Sequence, residues 1–372
     1  MKPTIIAYYL PQFYPFKEND EWWGPGFTEW TNVGRAKPLW KGHQQPRVPA
    51  DLGYYDLRLP DVREKQAQLA CEAGVTAFCY WHYWFGNGRR LLERVFDEVL
   101  ESGKPDFPFC LGWANHSWYA KAWDKTLGKD KLLIQQTYPG EEDARMHFKF
   151  LLKAFNDPRY LKIDGKPFFL IYEGMSVPST YIDNFRKWAK QEGFPDLYLV
   201  TSTTEFFKDK NEFLKMGFDA VTYIRQSTLW TEDYMKMNIF QKYTSRVIRV
   251  IKQFVTGIPR GARDYAKIYK RLVTPVEYDP DVIPQIVPQW DHSPRSGDKA
   301  NVIFYNSQPK YFAENVKDAL NAIKDKPKEK QIIILKSWNE WGEGNYMEPD
   351  FDHGKGFIEA LRTTLDTYGD AL

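Results

Sequence analysis

The 372-residue chain carries 51 Lys and Arg against 49 Asp and Glu, a formal net charge of +2, so it lacks the basic excess that nucleic-acid binding leaves in a sequence. No apolar run reaches the ~18 residues of a membrane span, and Met1-Lys2-Pro3-Thr4-Ile5 leads straight into a strand-like segment without the apolar stretch or cleavage site of a signal peptide. The three cysteines, Cys71, Cys79 and Cys110, have no metal-like spacing, argue against a disulfide scaffold, and read as reduced, buried thiols of a cytosolic protein.

In chain order, Ile5–Leu10 predicts the first strand, followed by a long connection, Pro11–Pro60, too rich in Trp for a disordered linker. Asp61–Ala73 predicts a helix, with Asp61 as N-cap and Gly74 as terminator. Val75–Tyr80 is the second strand, Arg89–Glu101 a helix ending at Gly103, and Phe107–Trp113 the third strand. Glu141–Phe155 and Tyr181–Gln191 predict helices on either side of a fourth strand, Phe168–Tyr172. Leu197–Thr201 and Ala220–Ile224 are the fifth and sixth strands, and a second long excursion, Arg225–Asp281, follows. Pro284–Trp290, a helix over Pro309–Ile323, Gln331–Lys336 and a helix over Gly356–Tyr368 complete the series.

Most of these strand runs are continuously apolar, as in strands buried on both faces. Eight strands alternating with helices, without an intervening linker, predict a single (β/α)8 TIM barrel over residues 1–372, with long loops after strands 1 and 6. A doubly wound sheet is the competing architecture. No GxGxxG follows any strand and no GxxxxGK[ST] occurs, which favours the barrel.

The eighth strand runs directly into Lys336-Ser337-Trp338-Asn339-Glu340-Trp341-Gly342-Glu343-Gly344. In a barrel this stretch lies at the C-terminal mouth, where catalytic groups sit. Two carboxylates facing one bond suit glycoside cleavage, one protonating the leaving oxygen and the other acting on the sugar. Trp faces cover the apolar side of a sugar ring, while Asn and Glu bond its hydroxyls. Glu340 and Glu343 are therefore the candidate catalytic pair, with Trp338, Asn339 and Trp341 as candidate substrate contacts.

Aromatics make up 17% of the chain, including 14 Trp, and they gather just past strand ends. His82 and Trp84 follow the second strand, Trp113, Asn115 and His116 the third, Trp290 and Asp291 the seventh, and Glu29 and Trp30 lie in the loop after the first. These are the further candidate sugar contacts; Glu173 and Arg295 occupy comparable positions. The His residues form no HExxH or similar pair, so neither a metal nor another cofactor is expected.

Several stretches carry a family resemblance. They are Ala7-Tyr8-Tyr9-Leu10-Pro11-Gln12-Phe13, Glu21-Trp22-Trp23-Gly24, Gly26-Phe27-Thr28-Glu29-Trp30-Thr31-Asn32-Val33, Gly42-His43-Gln44-Gln45-Pro46 and Ala50–Arg58. They continue with Tyr80-Trp81-His82-Tyr83-Trp84-Phe85, Gly112-Trp113-Ala114-Asn115, Trp290-Asp291 and Trp338–Gly344. The chain resembles the WbsX-type family of glycosyltransferases, whose domain is similar to glycoside hydrolase family 99. The resemblance implies a (β/α)8 barrel acting on polysaccharide, in the setting of surface-polysaccharide synthesis. Family 99 enzymes are retaining endo-α-mannosidases with a Glu-x-x-Glu pair. Carried over, Glu340 would deprotonate the sugar's 2-hydroxyl to form a 1,2-anhydro intermediate, and Glu343 would be the acid/base. Where the family usually has Glu after Trp-Ala-Asn, this chain has His116.

The resulting expectation is a retaining endo-acting hydrolase or transglycosylase on an oligosaccharide, a surface polysaccharide or a lipid-linked glycan. A nucleotide-sugar transferase of polysaccharide biosynthesis, for which Asp350-Phe351-Asp352 offers a short Asp-x-Asp, and a non-catalytic glycan-binding barrel are the alternatives. One segment lies outside this reading. From Lys236 to Arg271 basic residues far outnumber the single acid, Asp264, and Ile239, Tyr243, Val247, Val250, Ile251 and Phe254 recur at helical spacing. The plain expectation is a barrel helix packing its apolar stripe on the strands. The sharper one is a helix lying on the anionic cytoplasmic membrane surface.

Overall fold

The computed structural model describes residues 2–120, 131–205, 208–300 and 302–370. Eight parallel strands form the barrel: β1 (Thr4–Tyr9), β2 (Ala77–Trp84), β3 (Phe109–Trp113), β4 (Lys166–Glu173), β5 (Tyr198–Thr203), β6 (Ala220–Tyr223), β7 (Gln285–Ile286) and β8 (Ile332–Leu335). Hydrogen-bonded neighbours run in the order β6-β5-β4-β3-β2-β1-β8-β7. The ring closes where Val221 of β6 pairs in parallel with Val282, just before β7. The registers Ile6↔Ile334 and Tyr8↔Cys79 tie the first strand to both neighbours. The strands are continuously apolar because helices cover the outer face and side chains fill the interior; Ile332 to Leu335 are all buried.

The helices are α1 (Lys17–Trp23), α2 (Glu29–Arg35), α3 (Pro60–Ala73), α4 (Glu93–Ser102), α5 (Glu141–Phe155), α6 (Ser179–Gln191), α7 (Lys210–Lys215), α8 (Arg225–Lys236), α9 (Ile239–Thr256), α10 (Tyr265–Ile268), α11 (Ser293–Ser296), α12 (Pro309–Ile323) and α13 (Gly356–Asp370). The two long connections thus carry structure of their own: α1 and α2 after β1, and α8, α9 and α10 after β6. No helix among the described residues is long and apolar enough to cross a membrane.

Several expectations need correction. β7 is two residues long, not seven: Pro284 and Pro288 have no N–H for a ladder, and the Val287 N–H donates to Asn315 Oδ1 at 3.0 Å instead. Helix α3 begins one residue before Asp61, with Pro60 in its first turn and Leu59 at the cap, where no side chain bonds the helix. Helix α4 starts at Glu93 and not Arg89, because Arg90–Leu91 turns back to pair antiparallel with Tyr83 and Trp84. Cys71 is exposed, whereas Cys79 and Cys110 are buried. The apolar stripe of α9 does not pack on the strands: no residue of that helix is buried.

Candidate active site

At the C-terminal end of the strands lies a cleft of about 680 Å³, within the range of sites for small ligands. The segment after β8 forms its floor. Asn339–Glu340 pairs antiparallel with Asn345–Tyr346, and a single 3-10 turn, Trp341–Glu343, joins them. This tight hairpin brings Glu340 and Glu343 to the same cleft. Its glycines are required by close approach. A Cβ at Gly342 would fall 1.9 Å from Glu29 Oε2, and one at Gly344, where φ is +54°, would meet the Asp291 backbone at 2.9 Å.

The two acids have different surroundings. Glu343 Oε1 accepts from Arg295 Nη1 at 2.5 Å and lies 3.7 Å from His292 Nε2. Burial alone would raise its pKa, but Arg295, His292 and Lys336 outweigh burial and hold the carboxyl well below the usual carboxylate range. Glu340 has a more distant cation, Lys336 Nζ at 3.4 Å. Burial, reinforced by the charge of Glu343, raises its pKa above the ordinary value despite Lys336 and Arg295. Arg295 also donates from Nε to Glu29 Oε2 at 3.0 Å, so Glu29, Arg295 and Glu343 form one chain of charges along the wall.

Of the residues expected from sequence, Glu29, His116, Glu173, Trp290, Arg295, Glu340 and Glu343 line the cleft. The others stand behind its wall. On β2, alternation turns Trp81 and Tyr83 into the cleft and His82 and Trp84 outward to α5. There His82 Nε2 lies 2.9 Å from His147 Nε2, and Trp84 Nε1 donates to Asp143. Gly112 on β3 leaves room for the inward indole, since a Cβ there would lie 3.1 Å from Trp81. Trp113 faces outward and donates from Nε1 to the Trp84 carbonyl at 3.0 Å. Asn115 clamps the end of β4, accepting from the Glu173 N–H and donating to its carbonyl. Asn339 makes the same pair of hydrogen bonds with Leu10 beyond β1, accepting from its N–H and donating to its carbonyl.

Trp30 and Trp338 are packing residues, Trp30 donating to the Tyr55 carbonyl and Trp338 lying against Phe78. Trp341 stacks on Tyr346 at 3.7 Å and donates to Glu348 at 2.6 Å. Asp291 is buried behind the hairpin, accepting from His43 Nε2 and Gln45 Nε2 at 2.8 and 2.7 Å. Burial opposes its ionisation, but the bond from His43, the charge of Arg47 and Ser293 lower its pKa to about 2.

The cleft wall also includes Trp22, Trp23, Trp81, Trp118, Tyr83, Tyr172, His292 and Lys336. Lys336 was visible as a charge ending an apolar strand, a placement that costs energy unless a partner is near. Among the described residues, no group of three or more His, Cys, Asp or Glu side chains is arranged to hold a metal ion.

A family model described as Glycosyltransferase WbsX matches residues 5–361. The protein WxcX of Xanthomonas campestris pv. campestris is 34% identical over 364 residues, 97% of this chain and 49% of that protein. The chain therefore spans about half the length of the curated relatives it matches. Among solved structures, a glycoside hydrolase-like protein superposes with a TM-score of 0.59 at 17% identity, covering 98% of this chain and 94% of the other. The family 99 endo-α-mannosidase of Bacteroides thetaiotaomicron superposes with a TM-score of 0.58 at 14% identity, covering 99% and 98%. Both show that the fold is shared.

Proposed function

The chain belongs to the Glycosyltransferase WbsX family, and on that premise we propose that it makes or breaks glycosidic bonds, with Glu340 and Glu343 as the two reacting carboxylates. The reaction class is retaining, endo-acting hydrolysis, or transglycosylation at the same site, on a surface polysaccharide or lipid-linked glycan. Such chemistry needs one carboxyl that can give a proton to the leaving oxygen and one that stays ionised near the anomeric carbon. The observation that carries the reading is the unequal pairing of these acids: Arg295 at 2.5 Å from Glu343, and only Lys336, at 3.4 Å, on the buried Glu340.

On this division Glu343 takes the proton from the substrate's own 2-hydroxyl. That oxygen bonds the anomeric carbon as the glycosidic C–O bond breaks, and the leaving oxygen takes the proton of Glu340. Water or an acceptor sugar then opens the 1,2-anhydro ring, giving its proton to Glu340 while Glu343 returns one to the 2-oxygen, and this second displacement restores the starting configuration. The resemblance to family 99 implies the opposite assignment. A guanidinium at 2.5 Å makes Glu343 a poor acid, which favours Glu343 as the base and Glu340 as the acid. The indoles of Trp22, Trp81, Trp118 and Trp290 offer apolar faces for sugar rings along the cleft.

A nucleotide-sugar transferase needs a diphosphate site, and Asp350-Phe351-Asp352 supports one poorly. Asp350 is buried and already accepts from the Tyr346 hydroxyl and the His353 N–H, each at 2.6 Å. The roles are tested by comparing Glu340→Gln and Glu343→Gln on native glycan and on glycosides with an aryl leaving group, which needs no proton. Glu340→Gln should recover on the aryl substrate and Glu343→Gln should not. The reverse pattern would restore the family 99 order.

A further inference from the structure

Helix α9 is turned inside out. At about 100° per residue its apolar side chains fall in one half of the cylinder and its basic and amide side chains in the other. The polar half faces the protein: Lys242, Ser245 and Arg249 are half-buried, Lys242 Nζ lies 4.7 Å from the Tyr234 ring centre and Lys252 Nζ 5.6 Å from that of Tyr305. The apolar half faces out, with Ile239 87%, Tyr243 69%, Ile251 56% and Phe254 91% exposed. A capping box at Asn238 and the left-handed Gly257 fix both ends of the helix, so it is a defined element with its greasy side outermost.

We propose that this face docks on an anionic phospholipid surface. Exposed apolar area of this extent marks an interaction site. Charge selects the occupant. The helix carries Lys242, Arg246, Arg249 and Lys252 and no acid. On the helical projection Arg246 and Lys252 stand at the two borders of the apolar half, where their heads reach phosphates as the ring and aliphatic groups enter the headgroup region. A second copy of the chain would bring the same cations together, which disfavours self-association.

The segment leading into the helix starts at the cleft, and the helix ends against the loop after β1. Helix α8 begins directly after Ile224, which lines the cleft with Ser227, and Gly257 lies against Trp40 in the loop after β1. Docking would therefore hold the barrel mouth near the lipid surface. The binding itself does not depend on the chemistry assigned to the cleft.

The test is flotation of the full chain with vesicles of phosphatidylcholine alone and of phosphatidylcholine mixed with phosphatidylglycerol. Binding to the anionic vesicles should exceed binding to neutral ones by about tenfold or more and collapse at high salt. Phe254→Ser with Ile251→Ser, and separately Arg246→Gln with Lys252→Gln, should each weaken it by about tenfold. Melting temperatures should be nearly unchanged, because Arg246, Ile251 and Phe254 are exposed and Lys252 makes one long contact, to the Tyr305 ring. Absence from anionic vesicles at low salt, indifference to lipid charge, or variants that float as wild type would overturn the proposal. So would a dimer in light scattering that Phe254→Ser dissociates without any vesicle binding.

Discussion

Arg295 and Glu343 meet through a 2.5 Å bond from Nη1 to Oε1, although forty-eight positions separate them in the chain. The pairing makes a prediction about pH. Without the guanidinium, the carboxyl of Glu343 loses the main influence holding it ionised, and its pKa rises. If Glu343 acts as the base, Arg295→Met should shift the acid limb of kcat/KM upward in pH. An unshifted limb would mean that Glu343 does not act as the base.

The indoles should separate into two groups. Trp290 lines the cleft, and Trp290→Ala should weaken glycan binding by ~1–3 kcal/mol, on the scale of aromatic stacking on flat ligands. Trp113 is fully buried behind the wall, and Trp113→Ala should cost ~3–5 kcal/mol of stability through the cavity it leaves. Calorimetric titration with glycan and thermal melting distinguish the two. Loss of glycan affinity in Trp113→Ala with an unchanged melting temperature would be the wrong result.

Glu348 gives a stability signature. It is buried, with hydrogen bonds from Trp341 Nε1, Gln66 Nε2 and Tyr55 Oη and, among the described residues, no basic side chain bonded to it. Burial raises its pKa to about 7 despite those bonds. A carboxyl raised in the folded state contributes stability that is complete below its unfolded value, near 4.5, and lost as pH rises through about 7. The advantage of wild type over Glu348→Gln should therefore shrink by up to about 3 kcal/mol across that window. A difference that stays constant with pH would show that Glu348 does not titrate there.

The barrel was legible in the sequence because its strands are covered on both sides, leaving runs such as Ile332–Leu335 with no polar interruption. The strand-end position of the Glu pair was legible for the same reason: an apolar strand stops abruptly at Lys336. Composition did not reveal which way each side chain points. Tyr80-Trp81-His82-Tyr83-Trp84 is aromatic on both faces, so the alternation that sends Trp81 inward and Trp84 outward leaves no polar–apolar signature. Contacts between distant loops, such as Arg295 on Glu29 and Glu343, depend on the closure of the barrel and have no local signal. Helix α9 read as an ordinary barrel helix because its periodicity is the same whichever face turns inward.

If Glu340 and Glu343 together turn over a glycosidic bond, losing either carboxylate must slow that turnover. The direct measurement is product analysis after incubating surface polysaccharide and lipid-linked glycan from the source organism with wild type, Glu340→Gln and Glu343→Gln. Wild type should release or rearrange oligosaccharide, and each variant, melting as wild type does, should be slower by at least ~10²-fold. Turnover at wild-type rates in both variants would contradict the assignment of the pair.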